Sequence, residues 1–319
     1  MTTRHTRIEY SLVLPIVLLS AGCNPDIAAQ STVVEPGRVI ASGADTVAGG
    51  GGLNLAVYQG GRNGGPAIVF IHGFSQNSTT WERQLAGSLA RQFHLVTFDM
   101  RGHGASDKPL LAEQYTDASL WADDVAAVIR AANLQRPVLV GWSYGGFVIA
   151  DYVRKYGDDA LGGLVFVDAL TKNGTEEAAG FLTEEVLGIF GDVFAADIRR
   201  SLDASGALTG LFTARGSAAW ETAFGSAMMV PPAVRGAMFA RVLDNDDVLT
   251  GISVPTLVVH GGADRLVRVS AAEHTARTVP GAKLIVYNGI GHAPHLDDPK
   301  RLERDLTVFV RTVRRDKER

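Results

Sequence analysis

A mainly parallel α/β sheet with helices on both faces is the fold the sequence predicts, and three observations predict it. Short apolar runs alternate along the chain with segments of helical spacing, the pattern of a sheet buried on both sides. One run, Val138 to Val140, ends abruptly in Gly141-Trp142-Ser143-Tyr144-Gly145, after which Phe147, Val148, Tyr152 and Val153 recur at helical spacing until Gly157. Between Asp168 and Val254 lie about 80 residues with helical patterning and no strand-like run, too long for a structureless loop. This stretch, 170–251, is read as a helical cap inserted after the sixth strand.

Taken in order, Leu53 to Tyr58 alternates like a half-buried strand. Strands then follow at 67–72, 94–99, 137–142, 162–168, 254–260 and 282–288, and helices at 79–92, 117–132 and 144–156. The core is thus expected over 53–169 and 252–319. Right-handed crossovers between parallel strands place the connecting helices on the two faces. Ligands in such sheets bind beyond the carboxyl ends of the strands, where Phe74, Ser143, Asp264 and His292 all fall.

The chain has 319 residues, 46% of them hydrophobic, a net charge of −4 and a pI near 6.1. That supports a sizeable core and gives no electrostatic basis for nucleic-acid binding. The basic end at Arg311, Arg314, Arg315, Lys317 and Arg319 reads as a solvated last helical turn, where cations complement the helix dipole. Cys23 is the only cysteine, so an intramolecular disulfide is excluded. Arg4 and Arg7 precede an apolar run, Leu12 to Leu19, and then Ser20-Ala21-Gly22-Cys23, which reads as a signal peptide over 1–23. Small residues before a cysteine are similar to a bacterial lipobox and imply lipidation of Cys23 and a place in the cell envelope. Ser20 departs from the aliphatic residue usual there, and Ile27-Ala28-Ala29 is a competing ordinary cleavage site. The apolar run is shorter than the about 20 residues of a spanning helix. Residues 24–52 are polar and Gly/Ala-rich, a tether that ends in part as a first edge strand.

A G-x-S-x-G sequence alone is a weak signal; its context makes it specific. Strand, sharp turn and helix present Ser143 at a helix N-terminus, where N–H groups favour developing negative charge. Downstream, Pro255 to Val259 delivers into His260-Gly261-Gly262-Ala263-Asp264, and Lys283 to Tyr287 is followed by Gly291-His292. At these residues the chain resembles the α/β-hydrolase superfamily, whose nucleophile, acid and base occur in this order. The resemblance runs from about Leu53 to near Val310 and includes the loop Asp99-Met100-Arg101-Gly102-His103-Gly104-Ala105-Ser106.

The resemblance implies Ser143 as nucleophile, His292 as base, Asp264 as acid, and the backbone N–H groups of Phe74 and Tyr144 as oxyanion donors. Asp168, at the end of the sixth strand, is the alternative acid; Gly262 to Val267 matches the usual acid loop better. His295, three residues after His292, would suggest a metal pair, but no H-E-x-x-H-like partner motif exists, and no metal or other cofactor is expected. His295, His72, His103 and His260 read as structural histidines. Trp142, Met228 and Met229 are candidates for the substrate pocket. Haloalkane dehalogenases and epoxide hydrolases share the fold but attack with an aspartate, where this chain has Ser143.

The loops at Phe74 and Arg101 are similar to those of small-molecule esterases and metal-free haloperoxidases. The expected activity is cleavage of a small, neutral, moderately hydrophobic carboxylic ester. Perhydrolysis, carbon–carbon cleavage of diketones, and ligand binding on a silent hydrolase fold are the alternatives. The cap carries 6 Lys/Arg against 11 Asp/Glu, with no basic cluster to hold a phosphate or carboxylate.

Overall fold

The computed structural model describes residues 44–315. The signal-like segment, Cys23 and most of the 24–52 tether lie outside the described residues. Among the described residues there are ten strands: β1 (Asp45–Ala48), β2 (Asn54–Gly61), β3 (Ala67–Ile71), β4 (His94–Phe98), β5 (Val138–Trp142), β6 (Gly163–Val167), β7 (Lys172–Asn173), β8 (Leu243–Asp244), β9 (Thr256–Gly261) and β10 (Lys283–Tyr287). Eight of them make one sheet in the order β1-β2-β4-β3-β5-β6-β9-β10. The β1–β2 and β2–β4 pairs are antiparallel and the rest parallel. Every residue of β3, β5, β6 and β9 is buried, which is why these strands read as unbroken apolar runs. The edge strands β1 and β10 are largely exposed or half-buried.

Helices cover both faces. Two of them, α1 (Ala118–Ala131) and α2 (Gly145–Tyr156), pack against each other. The glycine run after β1 is not a tether: it sits on α1. Gly50 N–H donates to Asp124 Oδ1 at 2.8 Å, and a Cβ on Gly49 would come within 2.3 Å of that oxygen. Only glycine allows the backbone so close to the helix.

The helix expected over 79–92 is instead three short pieces, Ser78–Trp81, Glu82–Ala86 and Leu89–Arg91. The break is at Gly87-Ser88. Glu303, from the last helix, accepts the Ser88 N–H at 2.8 Å, and a Cβ on Gly87 would lie 2.0 Å from its carboxylate.

The cap consists of α3 (Glu176–Gly180), α4 (Glu184–Val193), α5 (Ile198–Thr209), α6 (Ala218–Met228) and α7 (Pro232–Phe239), with a last turn at Asp246–Thr250. The first four start at side-chain caps, Thr175, Thr183, Asp197 and Ser217. α7 starts with Pro232 at its first position, where the missing N–H costs nothing. Contrary to the purely helical reading, β7 and β8 pair at the base of the cap, Lys172 opposite Asp244. Buried Lys172 there meets Glu177 and Asp246 at 2.7 and 2.6 Å, so its charge is neutralised. After β9 the chain continues through α8 (Val269–Thr278), and after β10 the described residues finish with α9 (Pro299–Arg315). No helix among the described residues is long and apolar enough to cross a membrane.

Candidate active site

Ser143 stands between β5 and α2 with φ at +53°, in the left-handed region that L-residues avoid. Its neighbours show why the turn needs glycine. A Cβ on Gly141 would lie 2.6 Å from the Gly145 carbonyl, and one on Gly145 would lie 2.9 Å from the Ile71 carbonyl. The elbow is pinned by Ser143 N–H to Val167 O at 3.0 Å and by Leu170 N–H to Ser143 O at 3.2 Å. Neither the Tyr144 nor the Phe74 backbone N–H donates to another described group. The loop carrying Phe74 lies against the elbow: a Cβ on Gly73 would be 3.1 Å from Ser143 Cβ.

Two buried histidines hold that loop. His72 Nδ1–H donates to Gly73 O at 2.8 Å, and Nε2 accepts the Met100 N–H at 2.9 Å. His103 Nδ1–H donates to Arg101 O at 2.9 Å, and Nε2 accepts the Ser75 N–H at 3.2 Å. A second ring proton would face a donor in each case, so both rings are neutral. Burial pushes His72 down to about 4; burial and the neighbouring His72 put His103 well below its ordinary value. Arg101, in the loop after β4 that carries His103, is fully buried and pairs with Asp124 at 2.7 Å, joining that loop to α1.

His292 Nδ1–H donates to Asp264 Oδ2 at 2.7 Å. Asp264 Oδ1 takes the N–H groups of Leu266 and Val267 at 2.7 and 3.0 Å. Against the opposing pull of burial, the charge and hydrogen bond of His292 hold Asp264 below the ordinary carboxyl value. Trp142 Nε1–H donates to His292 O at 2.7 Å and fixes the base loop from behind. Ser143 and His292 are walls of the same cavity. No hydrogen bond joins their side chains, and such catalytic contacts often tighten only with substrate in place. Asp168, the alternative acid, does not reach His292; its Oδ1 accepts the Gly261 N–H at 2.7 Å. His295 is turned away as well, its Nε2 2.8 Å from Thr80 Oγ1 and its ring against Trp81 and Trp142. Among the described residues, Asp168, His260 and Asp264 have cation-ligand spacing, but Asp264 Oδ2 is already engaged by His292.

The cavity over Ser143 has a volume of about 310 Å³, near the lower end of the about 300–1,000 Å³ usual for small-ligand sites. Phe74, Phe190, Phe194 and Phe239 form one wall, with ring centroids 4.6 to 6.1 Å apart. Trp142 and Phe212, 5.7 Å apart, form another beside His292. Trp142, a pocket candidate in the sequence, lines the cavity, and so does Phe74. Met228 and Met229 do not: they lie at the C-terminal end of α6, off the cavity wall, and Met229 is half exposed. The cap residues that line it include Leu182, Val186, Phe190, Phe194, Phe212 and Phe239. The sequence signal was the i, i+4 spacing of Phe190 and Phe194 on one helix face.

The sequence profile of the alpha/beta hydrolase fold matches residues 66–299, well over half the chain. The chain belongs to the α/β-hydrolase fold family. It is 30% identical to a non-heme chloroperoxidase of Streptomyces lividans, over 84% of this chain and 99% of that protein. It is 28% identical to a bifunctional esterase/perhydrolase of Acinetobacter calcoaceticus, over 82% and 97%. Among solved structures, an esterase from Rhodococcus sp. ECU1013 superposes with a TM-score of 0.80 at 32% identity, covering 85% of this chain and 99% of that one.

Proposed function

We propose that the protein is a cofactor-independent serine hydrolase that cleaves small, neutral, moderately hydrophobic carboxylic esters through an acyl-enzyme. The observation that carries this reading is a strained, glycine-flanked Ser143 opening into the same apolar cavity as a His292 backed by Asp264. Ser143 Oγ attacks the ester carbonyl while His292 Nε2 takes its proton. The developing oxyanion is met by the free N–H groups of Phe74 and Tyr144, each worth about 3 kcal/mol in such sites. His292 then gives its proton to the departing alkoxide, and water repeats the sequence on the acyl-enzyme. Asp264 holds the imidazole in the tautomer that leaves Nε2 free. The relation to esterases supports the same reaction class.

Cavity chemistry supports the substrate class. Its walls are aromatic and aliphatic, and the one cation at its rim, Lys172, is engaged by Glu177, Asp244 and Asp246. No unpaired charge is offered to an anionic substrate. Each acyl methylene buried should raise kcat/KM about fourfold, from about 0.8 kcal/mol of transfer free energy, until the cavity is full.

A p-nitrophenyl ester series from acetyl to octanoyl tests this, with a succinyl ester as the anionic control. The expected result is a rise to a short-chain optimum, loss of turnover in Ser143→Ala, and loss of fluorophosphonate labelling in the same variant. Preference for the succinyl ester would overturn the substrate class; continued labelling of Ser143→Ala would overturn the nucleophile. Likeness to an esterase/perhydrolase favours a second reading in which peroxide intercepts the acyl-enzyme and releases a peracid. Peracid formation from the same esters and hydrogen peroxide, lost in Ser143→Ala, would establish it. Cleavage of a diketone with no ester turnover would replace both.

A further inference from the structure

Asp168 is the buried titratable group that acyl transfer leaves unused. It closes β6 beside the turn that follows β9, with φ at +44° and no exposed surface. Its N–H donates to Val259 O at 2.9 Å, so the backbone is locked to the strand that carries the acid loop. Oδ1 accepts the Gly261 N–H at 2.7 Å, while Oδ2 is buried and meets no donor. A carboxylate oxygen of Asp168, one of Asp264 and a ring nitrogen of His260 all lie within 4.8 Å of one another.

His260 does not neutralise this pair. Its Nε2 lies 3.0 Å from Val267 O and so bears the ring hydrogen, donating there. Its Nδ1, 3.4 Å from Asp168 Oδ1, is left as a bare acceptor and finds no hydrogen-bond partner. An ionised Asp168 would therefore set a second negative charge against Asp264 in a buried site, with one N–H to support it. Two carboxyls placed so close retain one proton between them. Asp264 has three N–H donors, including His292, and is the one built to stay ionised. A proton on Asp168 Oδ2 removes the repulsion and turns an unmatched acceptor into a donor.

We propose that Asp168 is a positioning residue for the triad acid: a neutral carboxylic acid whose Oδ2–H donates to the Asp264 carboxylate and fixes the face that Asp264 presents to His292. This rests on the assignment of Ser143, His292 and Asp264 above. Burial, and then the negative charge of Asp264, raise Asp168 well above the usual carboxyl range, in keeping with that state. The charged or titratable groups around the pair are His260 and Asp264 from the β9 side, and His292 and Asp297 from the segment after β10. Asp168 does not line the cavity, so its effect reaches the substrate only through Asp264 and His292.

An asparagine at this position keeps an acceptor for Gly261 N–H and a donor toward Asp264, as the neutral acid does. Asp168→Asn should retain kcat within about threefold of wild type, whereas Asp168→Ala, which loses the donor, should lose about tenfold or more in kcat with little change in KM. The pH profile of kcat/KM should overlay wild type in the asparagine variant and have a displaced acid limb in the alanine variant. Infrared difference spectra of wild type against Asp168→Asn at neutral pH should show the C=O stretch of a protonated carboxyl. An asparagine variant as crippled as Asp264→Asn, or absence of that band, would mean an ionised Asp168 and overturn the proposal. So would an alanine variant with wild-type kcat and profile. If the alanine variant does not fold, the asparagine kinetics and the infrared band decide. Full activity in Asp264→Asn would remove the triad assignment itself and the positioning role with it.

Discussion

Asp264 and Asp168 lie within one buried cluster, yet only Asp264 touches His292, and that single hydrogen bond of 2.7 Å separates their roles. Asp264→Asn should keep the fold and lower kcat on the order of 10³- to 10⁴-fold, because an amide favours the wrong imidazole tautomer. Steady-state kinetics with unchanged circular dichroism checks this, and a nearly silent substitution would dismiss Asp264 as the acid. The cavity wall offers a second residue-scale test. Phe239 packs on Phe74, Phe190 and Tyr144 with centroids 4.8, 4.6 and 5.5 Å away. Phe239→Ala should move the acyl-length optimum toward longer chains, and cost less than the about 3–5 kcal/mol of a fully buried Phe→Ala change because Phe239 is only half-buried. An unmoved optimum would place the acyl chain elsewhere. Ser143, Asp264 and His292 were legible in the sequence because each follows an apolar run whose end is a loop at one edge of the sheet. The cavity wall was not. Met228 and Phe190 are equally apolar in sequence, and only the way each cap helix turns decides which one faces Ser143.

Elements were legible where burial writes itself into composition. β3, β5, β6 and β9 are covered on both faces and read directly as strands. The broken helix near Gly87 was not legible, because the break depends on Glu303, more than 200 residues away. The β7–β8 pair was missed for a different reason: two residues leave no periodicity to see. Inside the cap, Arg235 is buried with no carboxylate partner. Its guanidinium instead meets Val193 O at 3.3 Å, Ser205 Oγ at 2.8 Å, and Ala227 O. Val193 and Ala227 stand at the C-terminal ends of α4 and α6, where helix dipoles favour a cation. Burial still pushes the guanidinium down to about 10. Arg235→Ala would strand both carbonyls and should cost about 3 kcal/mol in urea unfolding, with broader cap-wide hydrogen exchange. A change under about 0.5 kcal/mol would show that the cap does not depend on this staple.

At the scale of the whole molecule, the export reading of the first 23 residues stands as a proposal: Cys23 is lipidated and tethers the enzyme to the cell envelope. Fatty-acid labelling of wild type, lost in Cys23→Ala, is the expected result, and an unlabelled full-length cytosolic wild type would end it. The histidines lead to a second global property. His72, His103 and His295 are fully buried and neutral, each depressed from its ordinary value of 6.5 chiefly by burial, His72 to about 4. Between those two values the unfolded chain binds protons that the folded chain refuses, so stability rises with pH across the window and is lost as pH falls through it. Asp168 acts in the opposite sense, since its raised value makes the folded state hold a proton above 3.8 that the unfolded chain releases. His94 and His260 are depressed as well, and Asp124, Asp151 and Asp297 are raised, so five lowered imidazoles stand against four raised carboxyls, and near the ordinary histidine value the imidazoles set the sign. Asp264, depressed below 3.8, adds its own loss only at more acid pH. Each excess proton changes the unfolding free energy by about 1.4 kcal/mol per pH unit. Urea unfolding at steps from pH 7.5 to 4.5 should therefore show stability falling once pH drops below about 6.5, before most exposed carboxylates titrate. His72→Gln, which can still donate to Gly73 O and accept from Met100 N–H, should fold and show a shallower fall. Stability that is flat or rising on acidification through that window would mean these rings are charged in the fold, and the loop that presents Phe74 would then have to be held in some other way.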